Sequence, residues 1–162
     1  MAWTYNSLMS GIKSYVESNL SDYSSYRYVG PYYNVDTNSD FKNASGGLYP
    51  TLGIVLDLTK FATDQSMGST NPRIDLFFVL VTQDTGSRPQ DEMPAFYTKV
   101  QNLQNMVMAT CQQDSTHFGL TSILSAQPLY CDFEPGFIGQ KDSNRKGYNV
   151  AKFGLELCLT SI

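Results

Sequence analysis

TLGIVLDLT at residues 51–59 and RIDLFFVLVTQ at residues 73–83 decide how this chain folds. In the first, Leu52, Ile54, Leu56 and Leu58 alternate with Thr51, Gly53, Val55, Asp57 and Thr59. Successive strand side chains point to opposite faces, so this period of two predicts a half-buried strand. In the second, Ile74, Leu76, Phe78 and Leu80 alternate with Asp75, Phe77, Val79 and Val81. Both faces are apolar toward its end, which places this strand in the middle of a sheet. The intervening ATDQSMGSTNP, residues 62–72, is polar and rich in turn formers, so a long antiparallel hairpin is the simplest pairing.

Two further strands are expected nearer the C-terminus. In YNVAKFGLELCLTS, residues 148–161, Phe153, Leu155, Leu157 and Leu159 face one way. Gly154, Glu156, Cys158 and Thr160 face the other. LTSILSAQPLYCDF, residues 120–133, contains Pro128, which lacks an N–H and therefore predicts a bulge or a sheet edge. The glycine-bearing EPGFIGQKDSNRKG, residues 134–147, reads as the loop between them.

Helical periodicity occurs twice. Leu8, Ile12, Tyr15, Val16 and Leu20 form one face of a helix over residues 4–20, with Thr4 as its cap and Gly11 as a weak point. Met93, Phe96, Val100, Leu103, Val107 and Cys111 form the stripe of a helix over 91–112, where Pro94 is tolerable only in the first turn. Its other faces carry Gln101, Asn102, Gln104, Asn105 and Gln112, and Lys99 is the only charge between Glu92 and Asp114. Neutral amides lose less on desolvation than ions, so such a face suits contact with a neighbour. Residues 21–48 are dominated by Ser, Tyr, Asn, Asp and Gly. Tyr26–Val29 and Tyr32–Val35 read as short strands around Gly30-Pro31, followed by a polar loop over 36–47. The expected fold is α+β, a single domain over residues 1–162 with one antiparallel sheet of four or more strands and two helices packed on one face.

The 162 residues are 41% hydrophobic but only 16% charged, against about 25% in an average soluble domain. Tyr (11) and Phe (9) are abundant, and a Tyr-rich, charge-poor surface has the composition of protein interfaces. Net charge is −4, and the one basic cluster, Lys141, Arg145 and Lys146, has Asp142 inside it. A phosphate-neutralising face is missing, which argues against direct nucleic-acid binding. Cys111, Cys131 and Cys158 are odd in number with no CxxC spacing, so they read as small buried hydrophobes in a reducing compartment. Neither a secretion signal nor an apolar run near the ~20 residues of a membrane helix is expected.

Chemistry is sparse. His117, the single histidine, follows the long helix, where a partner for the helix C-terminus or a surface position is the better reading than a general base. Asp57 and Asp75 fall on adjacent strands and read as solvent-face residues, since two carboxylates make a weak metal site. No glycine-rich phosphate loop or nucleophile elbow is present, and no cofactor, metal or catalytic residue is expected. The tyrosines at 23, 26, 28, 32 and 33 lack surrounding cations and suit a sheet edge or a protein partner better than nucleobases.

The segments SLMSGIKSYVESNL, LYPTLGIVLDL, RIDLFFVLVTQD, DEMPAFYTKVQNLQNMVMATC and KFGLELCLTSI follow one another in an order that resembles phage tail terminator proteins. The likeness lies in pattern and length over most of the chain, departing at residues 34–48 and 134–147. The resemblance implies a non-enzymatic virion protein of the tail or neck, assembled in the host cytoplasm. It implies a homo-oligomeric ring, usually of six copies, that ends the tail tube and joins it to the head connector. Subunits would meet head to tail. Contacts with sister subunits, tube, sheath or connector are expected at Tyr32, Tyr33, Gln65, Met67, Gln101, Asn102, Asn105, Lys141, Arg145 and Lys146. DNA would pass an acidic channel without specific binding. Competing expectations are another neck or tail structural protein, a non-viral ferredoxin-like binding module, and a small hydrolase using His117.

Overall fold

A computed structural model describes residues 3–32, 49–64, 71–83, 89–114, 116–137 and 148–160. The elements are α1 (Tyr5–Asn19), a 3₁₀ turn (Tyr23–Ser25), β1 (Tyr28–Pro31), β2 (Thr51–Asp64), β3 (Asn71–Gln83), α2 (Pro89–Cys111), β4 (Ile123–Phe137) and β5 (Tyr148–Leu159). The strands form one five-stranded sheet in the order β1-β2-β3-β5-β4. The two alternating stretches are adjacent antiparallel strands, with Ile54 opposite Phe78 and Leu56 opposite Leu76. β3 is central, as its two apolar faces require, and β5 pairs with it through Leu76–Leu155 and Phe78–Phe153.

The fold is α+β, as expected, but the sheet is mixed. β1 joins β2 in parallel, Val29 opposite Leu52 and Gly30 opposite Gly53. Gly30 and Pro31, expected to interrupt two short strands, lie inside β1. Pro31 is tolerated there because an edge strand has one side with no ladder to donate to. The expected partner strand Tyr32–Val35 lies, apart from Tyr32, outside the described residues. The hairpin strands are longer than their apolar runs: β2 continues to Asp64 and β4 to Phe137. Backbone pairing carries polar residues into a ladder once the register is set by the apolar rows.

One sheet face is covered by helices. α1 packs toward β1 and β2, and α2 toward β4 and β5. Leu8, Ile12 and Val16 of α1 meet Leu52, Ile54, Leu76, Phe78, Leu80, Phe153, Leu155 and Leu157, together with Phe96, Val100, Leu103 and Val107 of α2, in one core. Thr4 caps α1 reciprocally: its hydroxyl accepts from the Ser7 N–H at 3.0 Å while its own N–H donates to Ser7 Oγ at 2.8 Å. Gly11, expected to weaken this helix, is there because a Cβ would come within 2.5 Å of the Leu120 side chain. α2 begins at Pro89, so Pro94 lies inside the helix instead of its first turn. The indole of Trp3 donates to the Thr160 carbonyl at 3.1 Å, tying the first described residue to the last.

β3, α2 and β4 form a split βαβ unit. β3 and β4 run in the same direction with β5 between them, antiparallel to both. This is the strand arrangement of a ferredoxin-like half-sheet, extended here by β2 and by the parallel edge β1.

Candidate interaction surfaces

The C-terminal end of α2 is closed by a buried polar knot. His117 Nδ1 donates to the Thr110 carbonyl at 2.8 Å, and the Phe118 N–H donates to the Thr110 hydroxyl at 2.7 Å. Thr110 and His117 are both buried. Phe118 takes φ of 54°, an unfavourable conformation for a non-glycine residue. Its ring is buried edge-on against Tyr15, 5.4 Å between centroids, and 6.0 Å from Phe78, which offsets that cost. His117 is therefore a helix-terminus partner, one of its two expected roles. The other, a surface position, does not hold, because the turn folds back under the helix.

A second polar cluster joins the 3₁₀ turn to α2. Lys99 Nζ reaches Asp22 Oδ2 at 3.2 Å, contacts Ser25 Oγ, and lies 4.3 Å from the centroid of the Tyr26 ring. The only charge within the central span of α2 is thus consumed inside the molecule. Asp22 Oδ1 and the Tyr26 hydroxyl are buried with no hydrogen-bond partner among the described residues. Burial, and secondarily the Asp22 charge, push the Tyr26 phenol far above its usual range.

With Lys99 occupied, the outward side of α2 over residues 93–111 carries no free charge. Tyr97, Gln101, Gln104, Asn105 and Met108 are exposed, with Tyr97 at 43% and Met108 at 37%. Tyr97, Gln101, Gln104 and Met108 follow helical spacing, so they form one stripe. Of the expected contact residues, Gln101 and Asn105 lie on it and Asn102 is half-buried at its margin. Tyr32 is 38% exposed at the opposite end of the sheet, over Gly53, so the structure does not gather it with the α2 amides. Tyr33, Gln65, Met67, Lys141, Arg145 and Lys146 lie outside the described residues.

The sheet face away from the helices has a different character. Asp57, Asp75 and Glu156 lie in one cross-strand row. Arg73 binds Glu156 at 2.5 Å. Asp75, expected in solvent, is buried because it occupies the central strand between two neighbours. No group of three or more His, Cys, Asp or Glu side chains able to hold a metal occurs among the described residues. Beyond this row, Lys152 Nζ sits 4.4 Å from the Phe77 ring centroid and 5.9 Å from that of Tyr130. Gly154 makes this cluster possible: a Cβ there would stand 2.9 Å from Tyr130 and 3.2 Å from Phe77.

β4 forms an edge, as Pro128 foretold, and its ladder is irregular. Register shifts fall between Ile123 and Ser125, Pro128 and Tyr130, and Glu134 and Phe137. The two residues left over by the first two shifts are Leu124 and Leu129, exposed at 47% and 48%. Tyr130, Cys131 and Asp132 are exposed beside them. The cysteines were expected to be buried; Cys158 is, Cys111 is partly so, and Cys131 is not. On β4 the helix layer buries Ile123 and Ala126 and leaves the following positions open. Partial burial still pushes the Cys131 thiol upward, helped by Asp132, which disfavours a reactive thiolate.

Leu124, Leu129 and Tyr97 carried no signal in the sequence, because periodicity assigns a side to a residue but not the extent of what covers it. No protein-family model and no curated protein matches the chain. Among the described residues no helix is long and apolar enough to cross a membrane.

Proposed function

We propose that this chain is a structural subunit of a tailed-phage virion, a ring-forming protein at the top of the tail that ends the tail tube and joins it to the head connector. The observation that carries the reading is the neutral, exposed stripe of α2, where Tyr97 and Met108 stand among amides and Lys99 of the same helix is engaged by Asp22 and Ser25. Charge depletion with Tyr and Met enrichment is the composition of a protein-interface core. A solvated helix face carries more charge. The element order supports the same reading, since helix, short strand, long hairpin, long helix and final hairpin is the order on which the tail terminator resemblance rests. In this function the chain works through protein contact and performs no catalysis. Native mass spectrometry with negative-stain microscopy tests it: closed rings are expected, and a strictly monomeric protein at high concentration refutes it.

A second reading is favoured by the split βαβ unit of β3, α2 and β4 with β5 between them. A ferredoxin-like binding module uses the sheet face that helices leave open, here the one bearing Phe77, Tyr130 and Lys152. It predicts a monomer or dimer, so the same experiment separates the two.

A further inference from the structure

β1 is the shortest strand of the sheet. It spans Tyr28–Pro31, and among the described residues it pairs with β2 alone. Parallel pairing is slightly weaker per residue than antiparallel pairing, and Pro31 has no N–H to give. Only Val29 of β1 enters the hydrophobic core, against Leu52, Ile54 and Leu56 of β2. The Arg27 N–H donates to the Pro50 carbonyl at 3.0 Å and the Tyr32 N–H to the Ile54 carbonyl at 3.1 Å, one at each end of the strand. Few buried apolar groups and a short ladder are the marks of a segment that opens before the rest of a fold.

Further support lies just upstream. The 3₁₀ turn Tyr23–Ser25 leads directly into β1. Within it the Ser25 hydroxyl donates to the Asp22 carbonyl at 2.7 Å, and its oxygen accepts from Lys99 Nζ. Asp22 Oδ2 takes the same ammonium at 3.2 Å, and the Tyr26 ring lies beneath it at 4.3 Å. A carboxylate, a hydroxyl and an aromatic face from one turn of chain thus converge on one cation of α2. The Lys99 and Asp22 side chains are only 16% and 21% exposed, so salt screens the pair poorly.

The position of this clamp in the fold matters. α1 packs toward β1 and β2, whereas α2 packs toward β4 and β5. Lys99 therefore ties the approach to one edge of the sheet to the helix that lies over the other. A lysine serving only solubility would stand in water, as Gln101 and Gln104 of the same helix do. Removing one partner of a buried pair leaves the other charge uncompensated, so the clamp holds or fails as a unit.

We infer that Lys99 is the latch of the β1 edge: by holding the 3₁₀ turn on α2 it keeps β1 seated on β2, and its release frees β1 while the other strands stay paired. The seated strand covers the β2 backbone from Thr51 to Ile54. An uncovered strand edge is a template for pairing with another chain. The latch therefore governs, from α2, whether this stretch of β2 is open to a further strand. It acts within one copy and stands apart from the ring reading.

Amide hydrogen exchange, read residue by residue in the full chain, tests the latch. Lys99→Met keeps the aliphatic stem and removes the charge. It should speed exchange at the Arg27 and Tyr32 amides by about tenfold or more and leave Leu76 in β3 and Leu155 in β5 unchanged. Asp22→Asn, which keeps the size of the side chain, should act in the same direction, and it supplies the readout should Lys99→Met misfold. The double variant should exchange no faster at these amides than the faster single one, because both changes remove one clamp. Unchanged exchange at Arg27 and Tyr32 in either folded variant overturns the inference. So does equal acceleration in β1, β3 and β5, which would make the clamp a support of the whole fold, and so do additive losses in the double variant.

Discussion

Phe77 and Phe78 are neighbours in the central strand, and they point into two different environments. Phe78 is fully enclosed, opposite Ile54 and Phe153 and 6.0 Å from the Phe118 ring. Phe77 is also buried, but its neighbours are the Lys152 ammonium and the exposed Tyr130 ring. The helix-covered face is aliphatic and aromatic, with its apolar rows interlocked across four strands. The opposite face mixes aromatic rings, valines, a lysine and a row of carboxylates. Fold specificity therefore resides on one side of the sheet. The other side and the edges carry the greater chemical variety.

Substitutions can break or sharpen that contrast. Phe78→Ala should have the largest effect, a loss of about 3–5 kcal/mol in urea unfolding, because it leaves a cavity in a fully packed core. Phe77→Ala should cost clearly less, about 2 kcal/mol, since Tyr130 and Lys152 are free on their outer sides to settle into the space. Equal losses at the two positions would show that the open face is as tightly packed as the covered one. Tyr26→Phe should go the other way, gaining about 1 kcal/mol by removing a buried hydroxyl that has no hydrogen-bond partner among the described residues. It also carries a pH signature. The folded phenol resists ionisation, so its contribution is fully present below the unfolded phenol's pKa of about 10 and is lost as pH rises above it. Tyr26→Phe should flatten the alkaline fall in melting temperature above about pH 10. Lys152→Met should have the smallest effect, under about 1 kcal/mol, because a half-exposed cation–π contact is weak and methionine keeps the stem packed on Phe77.

How legible these regions were in the sequence follows from the same contrast. Leu52, Ile54 and Leu56, and Phe153 to Leu159, alternate strictly because one face is fully buried, and that alternation marks strand and face in the sequence. Gln101 and Asn105 were legible as part of an uncharged helix face from missing charge alone. Leu124 and Leu129 were not: each sits where the ladder slips by a residue, and a slip depends on the partner strand, which no local pattern encodes. His117 was placed at the helix terminus by position, but its burial required the turn at Phe118 and Gly119 to fold back under α2.

Taken by itself, the order of residues determined the helices, the long strands, the central position of β3 and the neutral character of α2. These depend on periodicity and composition, which are local properties of the chain. Tertiary structure alone decided that β1 joins in parallel, that β5 lies between β3 and β4, that Lys99 is consumed by Asp22 and Ser25, and that two leucines stand out from the β4 edge. Each of these sets residues far apart in sequence against one another. Which groups meet is settled by the packing of the whole sheet and its helices, because an apolar row can be buried in several strand orders and only the assembled core selects among them.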